Sequence, residues 1–170
     1  IWWAMPTLLR ERGLPLDEIT ALTAMLVLPW TLKFLWAPLI DAWRTRWWSH
    51  AHWIVTCHAI MAVTLSPLFF LDPADDYALL RAALLAHAIA AATQDVAIDA
   101  WCINVTHHDE RGRFNGWMQA GMLLGRSMFG GGALIVVGML GWNVLITLMI
   151  IATVSSSVLV ILSQLNGAAG

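Results

Sequence analysis

"WNVLITLMIIATVSSSVLVILS", residues 142–163, runs for its whole length without a charged side chain. A helix that crosses the hydrocarbon core of a bilayer needs about 20 predominantly apolar residues. The stretch meets that length, and no face of it is charged, so it reads as a spanning helix turned toward lipid. Four more predominantly apolar runs of spanning length precede it. They cover 114–138 ("FNGWMQAGMLLGRSMFGGGALIVVG"), 77–101 ("YALLRAALLAHAIAAATQDVAIDAW"), 51–71 ("AHWIVTCHAIMAVTLSPLFFL") and 20–41 ("TALTAMLVLPWTLKFLWAPLID"). The chain opens on "IWWAMPTLL" with no initiator Met and no basic leader, so residues 1–9 read as the tail of a further span. The expectation is one bundle over residues 1–170, all-α and integral to a membrane, with six spans of which the first is truncated.

Composition agrees. The chain is 59% hydrophobic and 12% charged, with eleven Trp and eight Met. A soluble domain has about 45–50% apolar and about 25% charged residues. A formal charge of −2 offers no basic surface for nucleic acid. Cys57 and Cys102 both lie in apolar runs and read as small buried hydrophobes, not as a disulfide.

The links between spans are short and polar. Alternation places "AWRTRWWSH" (42–50) and "HHDERGR" (107–113) on one side, with Arg44, Arg46, Arg111 and Arg113. Arg10, Arg12 and Arg81 fall on the other side. Four against three does not settle orientation by the positive-inside rule.

Charges inside spans carry the functional information, because each costs about 2.5–3.5 kcal/mol on insertion scales. Lys33, Asp95, Asp99 and Arg126 are the candidates. Asp95 and Asp99 are four apart and share a helix face. At about 1.5 Å per residue, Asp95 lies about 9 Å inside Trp101, Asp99 about 3 Å, and Lys33 about 12 Å inside Asp41. Lys33 and Asp95 therefore sit at similar depth on different helices. Two readings follow: a static ion-pair set that holds the bundle together, or a substrate and proton pathway lined by Lys33, Gln94, Asp95, Asp99 and Arg126. Gly121 and Gly125 form a small-residue pair suited to close helix packing.

No cofactor or metal is expected. His50, His52 and His58 have no spacing that puts two ligands on one helical face, which removes a membrane-embedded metalloenzyme. His87, two turns before Asp95, is a candidate proton relay or a packed core histidine.

Three stretches resemble one family. "LPWTLKFLWAPLIDAW" (28–43), "AATQDVAIDAW" (91–101) and "DERGRFNG" (109–116) are similar to the major facilitator superfamily, in its branch of muropeptide permeases and acetyl-coenzyme A transporters. The resemblance implies the N-terminal six-helix half of a twelve-span transporter, with a C-terminal half as partner. It implies that Asp41, Arg44, Arg111 and Arg113 form cytoplasmic gating loops, and that Arg126 stands where an antiporter-type proline would be. It further implies a small polar or anionic solute, protons as coupling ion and a bacterial inner membrane. The alternative left open is a non-transporting membrane scaffold or a truncated gene remnant.

Overall fold

The computed structural model describes residues 4–43, 48–72 and 75–168, with the side chains of 165–168 left aside. These residues fold into helices: α1 (Met5–Glu11), α2 (Leu16–Leu32), α3 (Ala37–Ala42), α4 (His50–Leu65), α5 (Tyr77–Val105), α6 (Arg111–Arg126), α7 (Gly132–Leu140) and α8 (Trp142–Ala168). Proline marks the starts. Pro6 stands in the first turn of α1 and Pro15 immediately precedes α2, where a missing N–H costs nothing. Asp17 and Glu18 follow in the first turn of α2 and complement its dipole.

Proline also explains the break between α2 and α3. Pro29 lies inside α2, so the carbonyl four residues earlier loses its partner. Four residues on, the helix tightens into a 3-10 turn, Lys33–Leu35, closed by Trp36 N–H donating to the Lys33 carbonyl at 3.3 Å. Pro38, in the first turn of α3, restarts the helix. The sequence expectation of one continuous run over 20–41 is thus met by two helices and a 3-10 joint. Lys33 is the first residue of that joint.

A π turn, Ser127–Gly131, joins α6 to α7. Gly141 separates α7 from α8 at φ +88°, a left-handed conformation open to glycine at no steric cost. Its N–H donates to the Val137 carbonyl at 3.0 Å, which ends α7 in a tight turn.

α4 packs along α5 and α8, and α2 packs along α5. One end of the bundle is filled by Met5, Leu9, Leu22, Leu65, Leu80 and Ile146. Polar ties hold that end: the Trp142 indole donates to the Leu68 carbonyl at 2.9 Å, and Tyr77 donates to the Glu18 carbonyl at 3.0 Å. The opposite end closes over Ile40, Ile54, Val96 and Ala97, with Trp36, Trp53 and Trp101 against them. Helix α8 is not purely lipid-facing: Leu145 and Ile146 are buried.

Among the described residues four stretches are long and apolar enough to cross a membrane: 16–35, 50–69, 108–140 and 142–164. The protein is an integral membrane protein on these helices. α5 is longer than a span requires, but Arg81, His87, Asp95 and Asp99 interrupt its apolar character and it is not among the four. Helix α6 has no buried residue, and a Cβ built on Gly121 or Gly125 would meet nothing within 4 Å. The close packing expected at this glycine pair therefore does not occur among the described residues.

Candidate functional site

The 3-10 joint after α2 carries Lys33 toward α5. There its Nζ donates to Asp95 Oδ2 at 2.6 Å and stands 3.7 Å from Asp99 Oδ2. The first distance is a charge-assisted hydrogen bond and the second lies beyond hydrogen-bond length. One cation thus faces two carboxylates and is committed to only one of them. The α-helical spacing of four residues is what stacks both carboxylates on the face that looks at α2.

This cluster is not sealed. Lys33 keeps 32% of its side-chain surface, Asp95 41% and Asp99 49%. Lipid is an unacceptable neighbour for such charges, so at this depth the open side must meet water or further protein.

Gln94, one residue before Asp95, points elsewhere because successive helical residues diverge by about 100°. Its Nε2 lies 2.8 Å from His58 Nε2 on α4. When that amide donates, Nε2 of the ring accepts and the ring proton sits on Nδ1. That Nδ1 is buried and has no hydrogen-bond partner among the described residues. Deeper along the same seam, His87 Nδ1 lies 3.3 Å from Thr64 Oγ1 and 3.4 Å from the Met61 carbonyl. The α4–α5 interface is therefore a polar seam behind the ion cluster. Sequence reading named Gln94 and His87 but not His58 as a partner; its only signal was a third histidine on the same apolar run.

The remaining candidates lie outside the cluster. Arg126 ends α6, is exposed, and donates to Met122 Sδ on its own helix at 3.3 Å. Asp41, exposed on α3, stands 3.7 Å from the buried His50 Nε2. Arg111 opens α6 and donates to the Ile103 carbonyl at 3.3 Å, while Arg113, two residues on in the same first turn, is exposed. Arg44 lies outside the described residues. Among the described residues no group of His, Cys, Asp and Glu is arranged to hold a metal ion.

The site is thus a broken helix that presents a lysine to two carboxylates within an apolar helical bundle. The chain matches the Major Facilitator Superfamily over residues 1–166. It belongs to that superfamily. Among curated superfamily relatives, the anhydromuropeptide permease of Escherichia coli is 29% identical over 116 residues, covering 67% of this chain and 24% of the relative. A Rickettsia felis protein provisionally named transporter AmpG 4 is 25% identical over 162 residues, covering 93% of this chain and 39% of the relative. An uncharacterised protein of Haemophilus influenzae is 28% identical over 127 residues, covering 71% and 30%. The chain thus spans well under half the length of these relatives. No solved structure matches.

Proposed function

We propose that the chain is the N-terminal six-helix half of a proton-coupled secondary transporter for a small polar or anionic solute. The observation that carries this reading is the partly open Lys33–Asp95–Asp99 cluster. Charges at that depth with 32–49% of their surface uncovered need water or further protein on their open side, and a cavity between two halves supplies both. On this reading α5 also crosses the bilayer, its charges turned to the cavity, and residues 1–9 complete the count of six. A second half, as long as the remaining length of the relatives allows, would close the other side. The name of the Escherichia coli relative suggests anhydromuropeptide as the solute, and on this reading the location is a bacterial inner membrane; acetyl-coenzyme A is a second solute to try.

Asp95 is the proton carrier in this mechanism and Lys33 its counter-ion. As the halves rock, the 2.6 Å bond opens and closes, so that the carboxylate alternates between its lysine and a proton. Gln94 anchors α5 to α4 behind it. Asp41, Arg44, Arg111 and Arg113 form the cytoplasmic gate, and Arg126 lines the path on α6.

Anhydromuropeptide added to lightly buffered cells that express the full-length protein should alkalinise the medium. Uptake without any change in external pH would remove proton coupling. Orientation has its own check, in a Cys102→Ser background. There, Ser49→Cys, beside the loop that carries Arg44 and Arg46, should react with a membrane-impermeant thiol reagent only after cells are opened. Reaction in intact cells would reverse the topology.

A further inference from the structure

Between the C-terminal turns of α5 and the first turns of α6 lies a cavity of about 540 Å³. That volume is within the range of small-molecule sites. Its α5 wall is Asp99, Cys102 and Ile103, over the last turns of the helix, with Thr106 just past the helix end. Its α6 wall includes Arg111 and Asn115. Asp99 belongs to both this cavity and the ion cluster, so the two are continuous. It is also the carboxylate that Lys33 holds loosely, at 3.7 Å against 2.6 Å for Asp95. Arg111 donates to the Ile103 carbonyl, which fixes its guanidinium beyond Asp99 along α5. That bond uses one of five guanidinium donors.

A carboxylate at the inner end and a guanidinium at the outer end make a dipolar site. Ile103 is four residues past Asp99, so the two charged ends are separated by about 6 Å along the helix axis. We propose that this groove docks a small zwitterionic solute, its oxyanion on Arg111 and its ammonium on Asp99. Solute arriving there competes with Lys33 for Asp99 and leaves Asp95 paired, which gives the two carboxylates different tasks. This assignment rests on the transport reading for its purpose but not for its test.

Cys102 on the groove wall is a native reporter, and the buried Cys57 is its internal control. Two extended peptide residues span about 7 Å. Alanyl-alanine can therefore bridge Asp99 and Arg111, whereas free alanine cannot. In inside-out membrane vesicles containing the full-length protein, alanyl-alanine should slow alkylation of Cys102 severalfold. Alanine, N-acetyl-alanyl-alanine and alanyl-alanine amide should not. Arg111→Gln and Asp99→Asn should each abolish the protection while Cys57 stays unreactive, which reports an intact fold. The proposal is overturned if alanyl-alanine has no effect, if its N-acetyl or amide form protects equally, or if Arg111→Gln remains protected. Protection conferred only by added phospholipid also overturns it, since the occupant would then be a lipid headgroup. Alkylation needs no gradient. Protection without proton-driven uptake would leave the groove standing and remove the coupling; uptake without protection would do the reverse.

Discussion

Asp95→Asn in the full-length protein is expected to abolish uptake driven by a pH gradient and to leave exchange of solute for solute largely intact. Asparagine keeps the shape of the side chain and can still accept from Lys33, so the packing of α2 against α5 survives. What it cannot do is take and release a proton. Net uptake needs the carrier to return empty with its proton delivered, whereas exchange returns loaded and never discharges the site. The split between the two assays is therefore specific to a carrier. Asp99→Asn should be milder in the gradient assay, because Asp99 stands beyond hydrogen-bond reach of Lys33 at 3.7 Å. Initial rates of labelled solute entering vesicles, measured with an inward proton gradient and then with unlabelled solute preloaded, give both quantities. Normal gradient-driven uptake by Asp95→Asn would mean that the cluster is a static tie between helices.

How much of this was legible beforehand depended on which rule each residue obeys. The charge-free run 142–163 announces a membrane helix because hydrocarbon tolerates nothing else, and that constraint is local. Depth is also local. Counting residues back from Asp41 and Trp101 put Lys33 and Asp95 at one level, and the structure places them 2.6 Å apart. The 3-10 joint was signalled by Pro29 and Pro38, yet membrane helices often absorb proline without breaking, so the sequence alone reads as one span. Rotation about the helix axis is set by tertiary packing and is invisible to counting. That is why Gln94 pairs with His58 behind the cluster, and why Arg126, the fourth charge within a span, lies on an exposed helix apart from it. The groove beside Asp99 depends on how α6 leaves α5, which no single-helix pattern records.

Lys33→Ala carries the other large effect, because it strips the cation that, among the described residues, faces two carboxylates stacked one turn apart on α5. Uncompensated charge within a span costs about 2.5–3.5 kcal/mol on insertion scales, and like charges at that spacing repel. The variant is expected to lose most of its correctly inserted protein, and the remainder is expected to show no gradient-driven uptake. Yield alone would not separate a carrier from a structural tie. The triple variant Lys33→Ala/Asp95→Asn/Asp99→Asn does, since it removes the cation and both anions together and leaves only groups that can hydrogen-bond. Its inserted yield, measured as fluorescence of a C-terminal reporter on a size-exclusion column, should return toward that of the parent. Its uptake per inserted molecule should stay at background, because nothing remains to exchange a proton against a lysine. A triple variant that regains both yield and uptake would mean that the cluster serves only to hold α2 against α5, and that the coupling residue lies elsewhere in the protein.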